Sequence, residues 1–270
     1  MFALLSYRGH VPPASGITYQ HTREQLAAMY PGSFFYRGPQ EAKKVALTFD
    51  DGPDDQVTPQ VLAILKDNGI RATFFLIGKS MRQHPDLVHR LAADGHVIAN
   101  HTWSHPNMTR LDQEQTRQEI EKTAALIESL TGRRSALIRV PWGAVSDNVM
   151  RLVQKEGYRV IGWSADSFDW RDAAPARVMA NLNAQVQPGA IVLMHAVAFR
   201  QTGQVTLKVL PLLIEDLKKQ GYQFVTVDEL LRIPAYSSPK RTNFSSQGIS
   251  AVSEPFPARR TKMTSRPGVC

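Results

Sequence analysis

Two hydrophobic spacings alternate along the chain from Lys43 onward. Short runs of apolar residues, typical of buried strands, are separated by longer stretches in which apolar residues recur every three or four positions, as in amphipathic helices. A repeated strand–helix order predicts a parallel sheet covered by helices. The predicted strands comprise residues 45–49, 72–77, 97–100, 136–139, 159–164, 190–194 and 223–225.

Capping residues mark several of the intervening helices. Asp112 with Gln115 three positions later resembles a capping box, and Gly132 follows the last apolar position of that helix. Thr58 followed by Pro59 suggests another helix start, with Thr58 as the N-cap. Helices therefore separate the predicted strands, as a chain of strand–helix units requires.

The fold class predicted from this pattern is α/β, with seven parallel strands. That number fits a (β/α) barrel, or a barrel that lacks one unit, better than an open doubly wound sheet, although periodicity alone does not decide between them. We divide the chain into an N-terminal extension (residues 1–42), a central folded domain (43–234) and a C-terminal tail (235–270).

Composition adds limits to this picture. With 270 residues, of which 43% are hydrophobic, the chain can bury one large core, and none of its apolar runs approaches the ~20 residues that cross a bilayer. The opening segment 1–5 is too short and lacks the preceding basic residues of a secretory signal, so no export signal is visible. The single cysteine, Cys270, excludes an internal disulfide, so a metal site would need His and carboxylate ligands.

The positive charge is concentrated in the tail. Residues 235–270 hold six Lys or Arg side chains and one acid, Glu254, which accounts for most of the net charge of +8. This Ser-, Pro- and Thr-rich segment lacks apolar periodicity, which predicts disorder. It would be attracted to an anionic wall polymer or a membrane surface, or it would be a solvated tail without a specific partner.

Polar residues follow five of the predicted strands, where functional groups of parallel α/β domains gather. One carboxylate and two histidines four residues apart, Asp51 with His101 and His105, form a set of three ligands that leaves metal positions open. The alternative is an ordinary pair of surface or core histidines. Asp50 and Asp51 could equally form a turn, but directly after a strand they point in different directions, so one could bind metal while the other acts as a base.

Five short motifs together resemble the polysaccharide deacetylases, the NodB-homology group of carbohydrate esterase family 4. They are Thr-Phe-Asp-Asp-Gly-Pro (48–53), His-Thr-Trp-Ser-His (101–105), Arg-Val-Pro-Trp-Gly (139–143), Asp-Ser-Phe-Asp-Trp (166–170) and Leu-Met-His (193–195). All five occur in the family's order within roughly residues 43–230. The resemblance implies a distorted (β/α) barrel, usually of seven strands, and a divalent-metal-dependent hydrolase.

The resemblance also implies roles for single residues. Asp51, His101 and His105 would hold the metal, usually Zn²⁺, with Co²⁺, Mn²⁺ or Ni²⁺ as alternatives. Asp50 would be the general base and His195 the general acid, while Asp169 would orient His195 and Arg139 would pair with the catalytic carboxylate. The backbone N–H of Trp142 would stabilise the oxyanion, and Trp170 and Leu193 would line the slot for the acetyl methyl group.

The implied substrate is an N-acetylated glycan, with peptidoglycan favoured and chitin oligomers or acetylated xylan as alternatives of the same mechanism. A cell-envelope or extracellular location follows from the family alone. A glycan-binding module that has lost catalysis is a different reading, which the intact set of acid, base and ligands disfavours. Nucleic-acid binding through the basic tail is disfavoured because the tail lacks interleaved aromatic residues.

Overall fold

The computed structural model describes residues 20–172, 174–199 and 202–237. The strands in this part of the chain are β1 (Phe34–Phe35), β2 (Lys44–Asp51), β3 (Thr73–Leu76), β4 (Val97–Asn100), β5 (Arg134–Ser135), β6 (Leu137–Ile138), β7 (Arg159–Ile161), β8 (Ala165–Asp166), β9 (Ala190–His195), β10 (Gln223–Phe224) and β11 (Tyr236–Ser237). The helices are α1 (Arg23–Met29), α2 (Thr58–Asp67), α3 (Gly78–Gln83), α4 (Pro85–Ala93), α5 (Gln113–Thr131), α6 (Asp147–Lys155), α7 (Pro175–Gln185), α8 (Thr202–Lys219) and α9 (Val227–Leu231), with 3₁₀ turns at Met108–Arg110 and Pro141–Gly143.

The main sheet confirms the predicted α/β fold. Its strands pair in parallel in the order β1-β7-β6-β4-β3-β2-β9-β8, and β10 pairs with the first residues of β2. This sheet therefore has nine strands among the described residues. All seven predicted strands are present, as β2, β3, β4, β6, β7, β9 and β10. The prediction missed β1, and it missed β8, which begins directly after the predicted strand 159–164, although it included β6 and β10, which are equally short.

A single stretch of chain connects the two ends of the strand order. β7 pairs with β6, whereas β8, only three residues further along the chain, pairs with β9 at the other end of the strand order. The connecting residues 162–164 cross between them, and the Gly162 N–H donates to Phe35 O on β1 (2.7 Å). The barrel is thus bridged here by the chain itself.

The interior is apolar and closely packed. Val45, Leu47 and Phe49 on β2 are buried against helices α2 and α8, and the rings of Phe49 and Phe74 stack with centroids 5.0 Å apart. Burying apolar surface stabilises a fold by roughly 25 cal/mol per Å². Because the interior is rigid and filled, the strand ends are held in fixed positions relative to one another.

The helix starts confirm one predicted cap and correct another. Asp112 and Gln115 form the predicted capping box of α5, which ends at Gly132 in the left-handed conformation. At α2, however, Thr58 is the first helical residue and not the N-cap. The carboxylate of Asp54 accepts hydrogen bonds from the backbone N–H groups of residues 56, 57 and 58, which leaves the Thr58 hydroxyl to donate to Ala196 O (2.8 Å).

The ends of the described chain pack on the barrel. In the segment assigned to the N-terminal extension, α1 leads into β1, which pairs with β7. At the other end, β11 pairs antiparallel with β5, and the Tyr236 hydroxyl accepts from Ile98 N–H (3.0 Å), so order extends to Ser237, beyond the boundary set at residue 235. The rest of the assigned tail lies outside the described residues. Among those described, no helix combines the length and apolarity needed to cross a membrane.

Candidate active site

The two adjacent acids at the end of β2 point into different surroundings. Asp50 is buried and stands beside His195 in the register of β2 and β9. Asp51 turns out of the strand with φ of 76°, a left-handed conformation that is uncommon for a residue with a side chain. Both carboxylates approach His101 Nε2, but Asp50 also bonds Arg139 whereas Asp51 also approaches His105.

Asp51, His101 and His105 come together as a set of metal ligands. Oδ1 of Asp51 lies 3.4 Å from Nε2 of each histidine, and the three ligand atoms lie within 4.8 Å of one another. Oδ1 is also buried without a hydrogen-bond partner among the described residues. A buried carboxylate oxygen without a donor is costly unless a cation completes it. The three side chains therefore fit a divalent metal ion.

The two histidines are prepared to donate ring nitrogens. Nδ1 of His101 lies 2.8 Å from Arg139 O, which fixes a proton on Nδ1 and leaves Nε2 unprotonated toward Asp51 in the neutral ring. At His105, burial and the nearby His101 together lower the pKa to about 4. A neutral imidazole is the form that binds metal.

The loop that carries both histidines is held by a residue that the sequence analysis did not single out. Glu119, on α5, accepts hydrogen bonds from the backbone N–H of Trp103 (2.9 Å) and Ser104 (2.8 Å) through Oε2, and from the Ser104 hydroxyl (2.7 Å) through Oε1. Asn100 Oδ1 accepts from Thr102 N–H (2.8 Å) at the start of the same loop. These contacts fix the turn on which the ligand pair depends.

Arg139 is bonded on every side in the barrel interior. Its Nη1 donates to Asp50 Oδ1 (2.7 Å) and to the Thr48 hydroxyl (2.8 Å), while Nε and Nη2 donate to the carbonyls of Ile161 and Gly162, both at 3.0 Å. Burial lowers the pKa of this guanidinium, opposed by the charge of Asp50. The arginine therefore holds the Asp50 carboxylate in one orientation.

His195 and Asp169 form a second pair, in which Asp169 is buried and His195 is half-buried. Asp169 Oδ1 lies 2.7 Å from His195 Nδ1, and Oδ2 accepts from the His195 N–H (2.9 Å) and from the Thr206 hydroxyl (2.7 Å). Burial lowers the pKa of His195, but the charge and hydrogen bond of Asp169 outweigh it and raise the pKa to about 10. The imidazole is thus protonated at neutral pH. Thr206, on α8, was not predicted from the sequence.

Trp142, Leu193 and Trp170, the residues expected around the acetyl group, differ in their contacts with the other site residues. Trp142 sits in the 3₁₀ turn after β6 with φ of 64°, its side chain 45% exposed and its ring 4.8 Å from that of His105. Leu193 is buried on β9, two residues before His195. Trp170 follows Asp169 and packs edge-on against Phe168, with centroids 6.2 Å apart. The structure thus brings Trp142 into contact with a predicted metal ligand, whereas Trp170 is described only against its neighbours Phe168 and Arg171.

Comparison with known proteins decides the family. The sequence model described as polysaccharide deacetylase matches residues 37–161. A peptidoglycan-N-acetylglucosamine deacetylase of Bacillus cereus is 34% identical over 74% of this chain and 72% of its own length. The chain belongs to the polysaccharide deacetylase family.

Two further relatives agree with this assignment. The peptidoglycan-N-acetylmuramic acid deacetylase PdaA of Bacillus subtilis is 32% identical, over 82% of each chain. The crystal structure of the Bc1960 peptidoglycan N-acetylglucosamine deacetylase superposes with a TM-score of 0.75 at 32% identity, covering 78% of this chain and 98% of that one. This polysaccharide deacetylase therefore has the expected fold, and its Asp51, His101 and His105 side chains lie where they could hold a metal ion.

Proposed function

We propose that this polysaccharide deacetylase removes N-acetyl groups from N-acetylated amino sugars of a cell-wall glycan, with Asp50 as base and His195 as acid. The observation that carries the proposal is the pairing of β2 with β9. It sets Asp50 opposite His195 at one sheet edge, next to the Asp51, His101 and His105 cluster. A base, an acid and a metal site at one strand edge are the parts that amide hydrolysis requires.

The ligand set favours Zn²⁺, and Co²⁺, Mn²⁺ or Ni²⁺ can use the same donors. One carboxylate oxygen and two imidazole nitrogens are typical of catalytic zinc sites, in which three protein ligands leave a position open. A divalent ion bound there supplies Lewis acidity, which polarises the amide carbonyl and lowers the pKa of water. Asp51, His101 and His105 are the residues that would hold it.

Asp50 is oriented to take the proton from the attacking water. Its Oδ1 is occupied by Arg139, while Oδ2 faces the ligand cluster, 3.7 Å from His101 Nε2. A carboxylate fixed on one oxygen presents the other to a water molecule at the cluster. As the water oxygen bonds to the acetyl carbon, the π electron pair of the carbonyl moves to the carbonyl oxygen, which becomes the oxyanion, and one water proton passes to Oδ2.

His195 is oriented to complete the reaction. Because Asp169 holds Nδ1, the proton on Nε2 is the one that can be donated. When the bond between the acetyl carbon and the sugar nitrogen breaks, this proton goes to the nitrogen. The products are acetate and a free amino sugar, and an amine leaves only when protonated.

We further propose the roles of the three surrounding residues. The backbone N–H of Trp142 would donate to the oxyanion, since the turn brings this residue beside His105. A left-handed backbone at a non-glycine residue costs on the order of 1 kcal/mol and recurs at functional sites. Leu193 and Trp170, close in sequence to His195 and Asp169, would line the slot for the acetyl methyl group.

Peptidoglycan is the proposed substrate, because the two curated relatives described above are named for its N-acetylglucosamine and N-acetylmuramic acid units. Chitin oligomers or an acetylated xylan would use the same chemistry. A cell-envelope or extracellular location follows from a peptidoglycan substrate. We also propose that residues 43–234 form the catalytic domain and that the basic segment beyond it associates with anionic wall polymer or membrane surface.

The test is acetate release from defined glycans. Purified, zinc-loaded protein is incubated with peptidoglycan fragments and, separately, with N-acetylglucosamine oligomers, and each product is examined for the loss of ~42 Da per acetyl group that amide hydrolysis produces. Asp50→Asn serves as the matched control, because it preserves side-chain size and the neighbouring ligand set. The proposal expects a mass loss that chelator abolishes and that the variant lacks.

The glycan that loses acetyl groups identifies the substrate. Loss from peptidoglycan alone would establish the proposed substrate, and loss from the oligomers alone would replace it with chitin. No acetate from either glycan by metal-loaded protein would contradict amide hydrolysis and leave an acetyl-ester substrate or a non-catalytic glycan-binding module.

A further inference from the structure

Trp163 borders two parts of the segment that follows β6: Arg139, which holds Asp50, and Gly143 in the turn of Trp142. It sits in the chain segment that crosses between β7 and β8. On one side its ring packs against Gly143, where an added Cβ atom would lie 2.7 Å from the indole. Gly143 directly follows Trp142, so the ring supports the backbone of the proposed oxyanion turn.

The same ring also borders the arginine that holds Asp50. The Arg139 guanidinium carbon lies 5.7 Å from the Trp163 ring centroid, and its Nη2 donates to the carbonyl of the preceding residue, Gly162 (3.0 Å). A shift of Trp163 would therefore move two groups together: the turn that carries the Trp142 N–H and the segment that anchors Arg139.

Two hydrogen bonds fix Trp163 itself. Its indole N–H donates to Asp166 Oδ2 (3.1 Å), and its carbonyl accepts from Nη1 of Arg23 (2.8 Å). The Arg23 guanidinium also stacks on the ring, 4.9 Å from the centroid, an arrangement in which the cation is attracted to the face of the indole. Arg23 belongs to α1, which precedes the segment that the family model matches, residues 37–161.

Packing alone does not hold the indole. A cavity of about 790 Å³ lies between α1 and the turn after β6, and Trp142 and Trp163 form part of its wall. Beside an open space, an aromatic ring lacks contacts on one side and depends more on its remaining partners. Arg23 provides both a hydrogen bond and a stacking contact to Trp163 at this wall.

We propose that Trp163 is a positioning residue for the oxyanion turn and for Arg139, and that Arg23 of the N-terminal helix holds it in place. The inference rests on the proposed deacetylase function. It makes α1 part of the catalytic unit, although this helix lies outside the matched segment. Oxyanion donors and bases act only when correctly placed, and small displacements far from the reacting atoms reduce rates strongly.

The experiment compares three variants in the metal-loaded full chain. Arg23→Ala removes the hydrogen bond and the stacking, and Arg23→Lys retains a cation that can donate to Trp163 O. Arg71→Ala is the matched control, since Arg71 is exposed, pairs with Glu229 (2.6 Å) and precedes β3, at the opposite end of the barrel from the strand ends that carry the site. We expect Arg23→Ala to lower kcat roughly tenfold with KM within twofold, and Arg23→Lys to recover most of it. Arg71→Ala stays at the wild-type rate.

A second readout does not depend on activity. Incorporated 5-fluorotryptophan gives separate ¹⁹F NMR signals for the tryptophans, assigned by single Trp→Phe substitutions. Arg23→Ala should shift the signals of Trp142 and Trp163 while those of Trp103 and Trp170 stay in place, and Arg71→Ala should shift neither of the first two. If the wild type releases no acetate, the proposed function fails, and this measurement still decides the inference.

Three results would overturn the inference. An unchanged kcat in Arg23→Ala would show that Trp163 keeps its position without Arg23. Unchanged Trp142 and Trp163 signals would show the same from the structural side. A fall in kcat fully explained by lost metal, or by a lost folded fraction measured by circular dichroism, would reduce Arg23 to a general stability role.

Discussion

Arg139 and Asp50 form an ion pair inside the barrel, with Nη1 of the arginine 2.7 Å from Oδ1 of the aspartate and only 1% and 5% of the two side chains exposed. Three further hydrogen bonds go from the guanidinium to Thr48 on β2, to Ile161 on β7 and to Gly162 after β7, so four of its five N–H groups are bonded. A buried charge stays favourable only when paired and bonded in this way. The pair therefore fixes the orientation of the proposed base, and removing either partner would leave the other as an unpaired buried charge.

Removal of one partner should be costly, and removal of both should be less so. Arg139→Met leaves Asp50 as an unpaired buried carboxylate, so we expect a loss of about 3 to 5 kcal/mol in the free energy of unfolding. In the double variant with Asp50→Asn, part of that loss should be recovered. Urea unfolding of the wild type, both single variants and the double variant measures the coupling. Additive losses would mean that the pair does not interact as the geometry indicates.

The alkaline limit of activity should depend on Asp169. His195 must be protonated to act as the acid, so activity is lost as pH rises through its pKa, which the Asp169 carboxylate raises to about 10. In Asp169→Asn the charge is gone while burial, which lowers the pKa, remains. We expect a large fall in kcat and a shift of the alkaline limb toward neutral pH. A pH profile of kcat shows this, and an unmoved limb would contradict the role of His195.

Thr206 should support the same pair from α8. Its hydroxyl donates to Asp169 Oδ2 (2.7 Å), and both side chains are buried. Thr206→Val keeps the shape but removes the donor, so we expect kcat to fall roughly tenfold with KM nearly unchanged. Thr123→Val is the matched control, because that buried hydroxyl donates only to a carbonyl of its own helix, Glu119 O (3.0 Å). Equal effects of the two substitutions would indicate general destabilisation.

The chain's pattern predicted the strand ends well and the supports behind them poorly. Asp50, His101 and His195 directly follow or end apolar runs, so their meeting at one edge of a parallel sheet could be expected from the sequence. Thr206 reaches Asp169 across 37 positions, and Glu119 reaches Ser104 across 15. Both supports occupy polar positions of amphipathic helices, which look the same in sequence whether they face solvent or a loop.

The hydrophobic pattern identified every strand longer than two residues but only some of the two-residue strands. β2, with eight residues, gives a clear apolar run, whereas β8 has two residues and gains its identity only by pairing with β9. The predicted N-cap of α2 was wrong for a related reason, because Asp54 approaches the helix from a turn whose path depends on tertiary structure. Long-range pairing, and not local preference, decides such elements.

Substitutions of the two adjacent acids should separate metal binding from catalysis. Asp51→Ala removes the oxygen that lies 3.4 Å from both histidine nitrogens, so we expect it to lose metal and activity together. Asp50→Asn leaves the three ligands in place and should retain metal while losing nearly all turnover. Metal content by elemental analysis, measured beside acetate release, checks both. Metal loss in Asp50→Asn would make Asp50 a ligand and remove the assignment of the base.

Glu119 should tune metal affinity without touching the metal. Its two oxygens accept three hydrogen bonds from Trp103 and Ser104, which lie between the ligands His101 and His105 in the chain. Glu119→Gln replaces one accepting oxygen by an N–H₂ group, so at least one of these bonds is lost and the turn loosens. Substitutions behind metal ligands typically reduce affinity about 10- to 100-fold.

A chelator competition titration measures the effect of Glu119→Gln on metal affinity. The control is Glu114→Gln on the exposed side of α5, where Glu114 bonds Arg117 and Gln118 at the helix surface. We expect the Glu119 variant to lose activity at limiting zinc and to regain most of it when zinc is in excess, because its ligands and its acid–base pair are intact. If excess zinc does not restore the rate, the loop of His101 and His105 must also position other groups that the reaction needs. Unchanged affinity would show that His101 and His105 keep their geometry without this support.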